Sequence, residues 1–277
     1  THTCVQTPLR IVILGKSGDG KSSTGNTILG GKFFNTSNAP DSETFKCQSR
    51  HDRSNRFIVT DTPGLFDTKR REEELKKEIL RCIVECAPGP HAFLIVLKVA
   101  RYTEQEEEVV EKILDLFGEE ALKYSMVIFT RGDELGEDER IEDFVKKSVQ
   151  LKMLRDKCGG RCHVVDNKHW RNRQDEYRSN TVQVEKMINN VQSMATNNRG
   201  CYTNEILSDI QEKKQKAEQQ QRQGPNKGLP EEEIRTQAKE NVFGNLLLSA
   251  ATVGVKTVMG CFTLICFVLK GKSTILC

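Results

Sequence analysis

Apolar runs and segments with helical periodicity alternate along most of the chain. Short runs rich in Ile, Val, Leu and Phe have the length of buried strands and lie at Leu9–Leu14, Phe57–Thr60, Ala92–Val99, Met126–Phe129 and His163–Val165. Between these runs, apolar residues recur every three or four positions, which predicts helices over Glu72–Glu85, Glu104–Phe117 and Ile141–Asp156. Because strands that alternate with helices form βαβ units, we predict an α/β fold with a mostly parallel, doubly wound sheet.

One further strand is predicted from a more polar stretch. Thr44–Gln48 is interpreted as a short edge strand that pairs with Phe57–Thr60, and Asp52–Asn55 would form the turn between the two strands.

The chain becomes helical and polar after the last predicted strand. Val182–Met194 has the pattern of an amphipathic helix, and Asn204–Gln223 is rich in Gln, Lys and Glu, which is typical of a solvated helix. After Pro230 another helix begins with glutamates, whose charge is favourable at a helix N-terminus. These shifts place a globular domain at residues 1–200 and a polar helical extension at residues 201–241.

Residues 242–269 are apolar and long enough to cross a bilayer, although Lys256 interrupts them near the middle. Three interpretations stay open: a tail anchor or membrane hairpin, an interfacial or acylated segment, and a helix packed on the protein itself. The cysteines available for acylation are Cys261, Cys266 and Cys277. We assign residues 242–277 to a hydrophobic C-terminal segment that associates with a membrane.

The bulk composition narrows the class of protein. The net charge of +3 is too small for nucleic acid to be the main partner, so no nucleic acid is expected. None of the ten cysteines forms a C-x-x-C pair, and we expect reduced thiols in the cytosol. The chain starts without Met, as a fragment or a processed form does. Its first 20 residues contain the predicted strand Leu9–Leu14 and lack the apolar region of a secretory signal peptide. A cytoplasmic protein is expected.

The first strand leads directly into a phosphate-binding pattern, G-x-x-x-x-G-K-[ST], which Gly15, Gly20, Lys21 and Ser22 fill. Glycines let successive backbone N–H groups converge on phosphate oxygens, and the predicted helix Ser22–Leu29 adds the positive end of its dipole. Lys21 would reach the β and γ oxygens, and Ser22 would hold Mg²⁺. The charge of Asp19 is unfavourable here unless its side chain points away from the phosphates. The predicted phosphate-binding residues are Gly15, Lys16, Ser17, Gly18, Asp19, Gly20, Lys21, Ser22 and Ser23.

A second motif, Asp61-Thr62-Pro63-Gly64, follows the strand Phe57–Thr60. At this position in P-loop NTPases, an Asp holds the water shell of Mg²⁺ and a Gly amide meets the γ-phosphate. We assign these roles to Asp61 and Gly64. In the loop between the two motifs, Thr44 is the candidate that would ligate the metal in the triphosphate state. Hydroxyl groups in the same loop leave alternatives open: Thr36, Ser37 and Ser42.

A third cluster, Thr130-Arg131-Gly132-Asp133, follows the strand Met126–Phe129. GTPases recognise guanine with an Asp that accepts hydrogen bonds from two guanine N–H groups, and adenine presents an acceptor at that place. Asp133 therefore predicts guanine over adenine, with Thr130 and Arg131 where many GTPases carry Asn and Lys. Asn167 is the candidate for the remaining base contact, and Trp170 would shield the ring.

The segments Gly15–Gly30, Asp61–Gly64, Arg101–Glu104 and Phe129–Leu135 together resemble the GTPases of immunity-associated proteins, the GIMAP family. The resemblance covers about residues 9–200. It implies a P-loop GTPase fold, GTP or GDP with Mg²⁺ as cofactors, a homodimer or oligomer formed through the nucleotide face, and a hydrophobic C-terminal membrane segment. The expected location is the cytoplasmic face of an intracellular membrane. The chain departs from the family pattern at Asp166, where family members more often carry Asn.

Hydrolysis by a single copy is expected to be slow. Leu65 occupies the position at which Ras-like enzymes carry a Gln that orients the attacking water, and its side chain makes no hydrogen bonds. The resemblance implies that Arg101 crosses the dimer interface and stabilises transition-state charge, with Thr44 as the second catalytic candidate. A surface ion pair with Glu104–Glu108 is the alternative role for Arg101. The leading hypothesis is a GTP-controlled dimerising switch, the second is a GTP-binding scaffold with negligible hydrolysis, and an ATPase is disfavoured by Asp133.

Overall fold

The computed structural model of the protein describes residues 7–36, 46–64, 72–171, 173–224 and 228–252. The chain divides into two compact units. The first unit lies within Thr1–Thr68 and Pro90–Tyr202, and the second lies within Lys69–Gly89 and Thr203–Cys277.

A six-stranded sheet forms the centre of the first unit, with the strand order β2-β3-β1-β4-β5-β6. The strands are β1 Leu9–Gly15, β2 Gln48–His51, β3 Phe57–Asp61, β4 Ala92–Lys98, β5 Ser125–Thr130 and β6 Cys162–Val164. All neighbours pair in parallel except β2, which runs antiparallel to β3. The predicted α/β fold with a mostly parallel sheet is confirmed. Because strands β1, β3, β4 and β5 end at the same edge, the loops that follow them meet there.

The helices of the described residues are α1 Lys21–Leu29, α2 Glu72–Cys86, α3 Glu104–Phe117, α4 Ile141–Lys146, α5 Val149–Lys157, α6 Asn180–Asn197, α7 Glu205–Gln223 and α8 Glu231–Thr252. Helix α3 begins and ends where the sequence predicts. Thr103 and Glu106 form a capping box at its start, and Gly118 follows its last residue. This capping fixes Thr103, which follows Arg101 by two residues in the chain.

Alternating residues of the strands build two apolar layers. On one face Ile13 of β1 and Leu94 of β4 join a buried cluster with α1 and α6, to which Ile28, Met187 and Val191 belong. On the other face the ring of Phe93 lies 4.7 Å from that of Phe117 in α3. Each central strand is therefore buried on both sides, which explains its nearly continuous apolar sequence.

Two predicted elements differ from the structure. The single helix predicted over Ile141–Asp156 is two helices, because the hydroxyl of Ser148 accepts the N–H of Leu151 at 3.3 Å and starts α5 as a new helix. The edge strand predicted over Thr44–Gln48 is shifted where the structure describes it: residues 44–45 lie outside the described residues, residues 46–47 are not strand, and β2 spans Gln48–His51. Its pairing with β3 follows from the predicted turn, in which Asp52 Oδ1 accepts the N–H groups of Arg56 and Phe57 at 2.6 and 2.7 Å.

In its described residues, the second unit contains α2, α7 and α8. The buried ammonium group of Lys214 in α7 donates to the carbonyl oxygens of Val84 and Ala87 at 3.2 and 2.9 Å, and burial lowers the pKa of Lys214 to about 8. Lys239 of α8 pairs with Glu85 of α2 at 2.7 Å. Helix α2 therefore groups with the C-terminal helices, although it lies within residues 1–200.

Among the helices in the described ranges, none combines the length and apolar character needed to cross a bilayer. Most of the predicted membrane-associating segment, residues 253–277, lies outside the described residues.

Candidate functional site

The predicted phosphate loop connects β1 to α1 and depends on glycine at two positions. Gly15 has φ +148°, and a Cβ atom there would lie 2.5 Å from the carbonyl oxygen of Val96. Gly20 precedes α1 with φ +87°, a left-handed conformation that glycine adopts without strain. The loop therefore lies tightly against the sheet, and Gly20, the residue before α1, has no side chain that could cap the start of the helix.

Lys21 and Ser22 begin α1 and face the inside of this loop. The Lys21 ammonium group donates to the carbonyl oxygen of Lys16 at 2.9 Å, which holds its positive charge within the loop. The hydroxyl of Ser22 donates to Oδ2 of Asp61 at 2.5 Å. The two residues predicted to hold Mg²⁺, from motifs 39 residues apart, are thus in direct contact.

The surroundings of the Asp61 carboxylate show whether a metal ion could bind beside Ser22 and Asp61. Asp61 is 1% exposed, and its Oδ1 atom has no hydrogen-bond partner among the described residues. Burial raises the pKa of the Asp61 carboxyl. A buried carboxylate oxygen without a donor is unfavourable unless a cation or water is added, and oxygen ligands are those that Mg²⁺ prefers. The donor set fits a magnesium ion with its water shell.

Gly64 brings the loop after β3 against the phosphate loop. A Cβ atom at Gly64 would lie 2.9 Å from Cβ of Ser17 and 3.0 Å from its backbone nitrogen. The hydroxyl of Thr62 donates to the carbonyl oxygen of Ile13 at 2.7 Å and fixes the chain just before this approach. Gly64 therefore lies beside the predicted phosphate site, where a larger residue would displace Ser17.

Thr130 holds the phosphate loop through a hydrogen bond from the end of β5. Its buried hydroxyl donates to the carbonyl oxygen of Asp19 at 2.9 Å and approaches that of Leu97 at 3.3 Å. The structure thus places Thr130, a predicted nucleotide-binding residue, where it holds the loop in position. Arg131, also predicted to bind, has the left-handed conformation with φ 60° and is exposed.

Asp133 belongs to a small polar cluster at the end of β5. Its carboxylate lies 3.2 Å from Nδ1 of His169, which is also 3.2 Å from buried Asp166. The hydrogen bond to Asp166 raises the pKa of Asp133. Burial alone favours neutral Asp166, but hydrogen bonds from Asp133 and from the N–H groups of His169 and Lys168 lower its pKa. Asp166 is thus the first of the pair to ionise, and Asp133 presents its partly exposed carboxylate outward.

Asn167 lies between this cluster and α1. Its side-chain oxygen accepts a hydrogen bond from the hydroxyl of Thr27 at 2.8 Å. A Cβ atom built at Gly20 would lie 3.4 Å from Nδ2 of Asn167. Trp170 is only 1% exposed and packs against Gly132, where a Cβ atom would lie 2.5 Å from its ring. The expectation that Trp170 shields a base is therefore wrong for this structure, because the indole is buried beneath the loop that carries Asp133.

Arg101 follows β4 and is exposed, with no hydrogen bond or ion pair to the residues that the structure describes. The alternative role as an ion pair with Glu104–Glu108 is not seen. Asp19 turns to Lys98, whose Nζ atom lies 3.1 Å from Oδ1. Sequence reasoning did not single out Lys98, because no local motif links it to Asp19.

Several predicted residues lie outside the described ranges. They are Thr44, Ser37, Ser42 and Leu65. Thr36, the remaining hydroxyl alternative, is described and exposed.

The chain matches the sequence model of the AIG1 family over residues 9–221. It is 34% identical over 203 residues to human GTPase IMAP family member 8, an alignment that covers 73% of this chain and 30% of the relative. It is also 34% identical over 220 residues to immune-associated nucleotide-binding protein 9 of Arabidopsis thaliana, covering 77% of this chain and 63% of the relative. The chain thus spans less than two thirds of the length of these two relatives.

Solved structures of Toc33 from Arabidopsis thaliana share the fold. The structure with GDP and Mg²⁺ has a TM-score of 0.55 at 21% identity and covers 71% of this chain and 88% of Toc33. A second structure has a TM-score of 0.55 at 22% identity and covers 69% of this chain and 84% of the other. Its description states that dimerization is important for the GTPase activity of the chloroplast translocon components atToc33 and psToc159. These neighbours confirm the P-loop GTPase fold.

Proposed function

The chain belongs to the AIG1 family, and from that premise we propose that it is a GTP-binding switch whose copies dimerise through the nucleotide face. Dimerisation would stimulate a slow hydrolysis of GTP to GDP and phosphate. The observation that carries the proposal is the contact between Ser22 and Asp61, because it joins two motifs beside a loop shaped for phosphate.

Phosphate recognition rests on the loop between β1 and α1. Backbone N–H groups from residues 15–22 and the start of α1 supply donors, and Lys21 supplies the positive charge. Gly64 lies against Ser17, at the end of the loop where the γ-phosphate of a bound triphosphate would be recognised. Two nucleotide states would therefore differ in the contact between these two loops.

Guanine recognition is assigned to Asp133, with Asn167 beside the base. The carboxylate of Asp133 is exposed enough to accept from a ligand, and His169 and Asp166 hold it from the other side. Ionised Asp133 accepts two N–H groups of guanine, whereas adenine would leave one carboxylate oxygen facing an acceptor. A site built to accept N–H groups rejects a base that lacks them.

Ser22 and Asp61 would hold Mg²⁺, together with Thr44 in the triphosphate state. A bound Mg²⁺ neutralises charge that builds up on the phosphate oxygens. The protein residues contribute the geometry: the Ser22 hydroxyl already lies at hydrogen-bond distance from Asp61, and the buried position excludes bulk water from the carboxylate.

Hydrolysis is proposed to need a second copy, because Leu65 lacks a group that orients water. Arg101 of one copy would place its guanidinium group beside the phosphates of the other, where an arginine is worth about 10³–10⁵ in rate. Its exposure and its freedom from ion pairs with described residues support this role. The neighbours that share the fold support the proposal, because dimerization is described as important for the GTPase activity of atToc33 and psToc159.

Residues 242–277 are proposed to place the protein on the cytoplasmic face of an intracellular membrane. The support is the apolar composition of residues 242–269. Deleting residues 242–277 should move the protein from the membrane to the soluble fraction, and unchanged fractionation would refute the anchor.

GTP turnover per molecule, measured across a hundredfold range of protein concentration, tests the proposal. We expect turnover to rise steeply with concentration and the rise to disappear in Arg101→Ala, while Arg53→Ala, a change at an exposed arginine of the β2–β3 turn, serves as the matched control. The second candidate, a GTP-binding scaffold with negligible turnover, is favoured by Leu65 alone. Flat, near-zero turnover at every concentration would establish the scaffold and refute the switch.

A further inference from the structure

The residues that carry Arg101 contact the phosphate loop at two places. We call residues 98–106 the arginine segment; it runs from the last residue of β4 into the first turn of α3. At its start, the Nζ atom of Lys98 lies 3.1 Å from Oδ1 of Asp19 in the phosphate loop. The Asp19 side chain is only 4% exposed and that of Lys98 is 30% exposed, so solvent screens this pair only in part.

The second contact lies at the other end of the arginine segment. Lys16 of the phosphate loop donates to Oε1 of Gln105 at 2.5 Å and lies 3.6 Å from the carboxylate of Glu106. Glu106 also accepts the backbone N–H of Thr103 at 3.1 Å, as part of the capping box of α3. Lys16 is therefore tied to the residues that fix the start of the helix.

Arg101 lies between these two contacts. It is exposed, and together with Asp19, Lys98 and Tyr102 it lines a small cavity of about 40 Å³ beside the phosphate loop. Oδ2 of Asp19 has no hydrogen-bond partner among the described residues, so Lys98 supplies the direct charge partner of this carboxylate. The arginine segment is thus held at both ends, while Arg101 itself makes no ion pair with any residue in the described ranges.

We propose that the Asp19–Lys98 ion pair and the Lys16–Gln105 hydrogen bond clamp the arginine segment to the phosphate loop and so present Arg101 to a second copy. The proposal rests on the proposed function and makes Lys98 a positioning residue. A guanidinium group that must reach phosphates on another molecule gains from a fixed starting point, since a displacement of about 1 Å can cost about a hundredfold in rate.

A simpler role for Lys98 would be to neutralise Asp19, whose charge would otherwise repel phosphate. The two roles predict different results. If Lys98 only neutralises Asp19, the double variant Asp19→Asn/Lys98→Gln should behave like the unmodified protein. If Lys98 clamps the segment, the double variant should lose concentration-stimulated turnover as Lys98→Gln does, because amides at these positions do not form an ion pair.

The test compares the full chain with Lys98→Gln, the double variant, and Lys152→Gln, a matched control at an exposed lysine of α5. Turnover is measured at saturating GTP, at dilute and at high protein concentration. Lys98→Gln should lower the concentration-stimulated turnover about tenfold or more, and Lys98→Arg should restore it. In the Arg101→Ala background, Lys98→Gln should cause no further loss, because both changes remove the same contribution. An additive loss, or full recovery in the double variant, would overturn the proposal.

Amide hydrogen exchange of residues 99–106 provides a readout that does not depend on turnover. Exchange should become several-fold faster in Lys98→Gln than in Lys152→Gln, and unchanged exchange would overturn the clamp. If turnover of the unmodified protein is flat with concentration, the proposed function fails and the role of the clamp fails with it. If turnover of the unmodified protein rises with concentration but exchange is the same in Lys98→Gln and Lys152→Gln, the clamp is refuted and the proposed function stands.

Discussion

The approach of Gly64 to the phosphate loop allows a direct test of how the site is built. Gly64→Ala adds one methyl group, which would lie 2.9 Å from Cβ and 3.0 Å from the backbone nitrogen of Ser17. Ordinary contacts of this kind are about 3.5–4.0 Å. The loop after β3 or the phosphate loop must therefore move by roughly 0.5 Å or more at the place where phosphate is predicted to bind.

The substitution should weaken both folding and nucleotide binding. Crowding of this size costs about 1–3 kcal/mol of stability. Displacing one N–H that donates to a phosphate removes a hydrogen bond to a charged group, worth about 1.5–3 kcal/mol. Since about 1.4 kcal/mol is a factor of ten, affinity for GTP should fall roughly 10- to 100-fold. The loss should be smaller for GDP, because Gly64 is assigned to the γ-phosphate.

Isothermal titration calorimetry with GDP and with a non-hydrolysable GTP analogue measures both affinities. Gly136→Ala is the matched control, since a Cβ atom there meets only the flexible side chain of Glu139, at 3.4 Å. Normal affinity of Gly64→Ala for the GTP analogue, measured under conditions in which both variants are folded, would refute the placement of the γ-phosphate beside Gly64.

Further changes test other parts of the site. Asp61→Asn should raise the unfolding temperature of the nucleotide-free protein, because it removes a buried charge. The same change should abolish the part of the GTP affinity that depends on Mg²⁺, and an affinity that still responds to Mg²⁺ would contradict the metal assignment. Thr130→Val should cost about 1–2 kcal/mol in urea unfolding, because the carbonyl of Asp19 loses its buried donor, and an unchanged midpoint would exclude this support. Burial lowers the pKa of His163 and of His91 to about 4, below the usual 6.5, so each stabilises the fold above pH 6.5 and loses that contribution as pH falls towards 4. In urea unfolding at pH 7.5 and pH 5, the unmodified protein should therefore lose stability relative to His163→Gln, and a constant difference would refute the buried neutral imidazole.

The sheet could be predicted because its central strands are buried on both faces. Strands of this kind are continuous apolar runs, and β1, β3, β4 and β5 were each located to within two residues. Helix α3 was located even better, since the Thr103–Glu106 capping box and Gly118 mark its ends in the sequence.

The elements that were misplaced lack such signals. Strand β2 is polar and mostly exposed, so its sequence carries no alternation, and its register comes from the Asp52 turn. The break between α4 and α5 depends on the hydroxyl of Ser148, which a helix interior also tolerates.

The same distinction applies to the site. The predicted phosphate-binding and metal-binding residues lie in short motifs of fixed spacing, so the pairing of Ser22 with Asp61 could be predicted from the sequence alone. The Asp19–Lys98 pair joins residues from different loops and becomes visible only when β1 and β4 are adjacent. The burial of Trp170 beneath Gly132 likewise depends on tertiary packing, which local pattern does not encode.

In the proposed switch, the bound nucleotide controls association of two copies. Sedimentation equilibrium of the full chain in detergent, with GDP and Mg²⁺ and then with a non-hydrolysable GTP analogue and Mg²⁺, tests it most directly. We expect the mass of a monomer with GDP and of a dimer with the analogue, and a weaker analogue-bound dimer for Gly64→Ala. The same mass in both nucleotide states, across concentrations above and below the stimulated range, would contradict it.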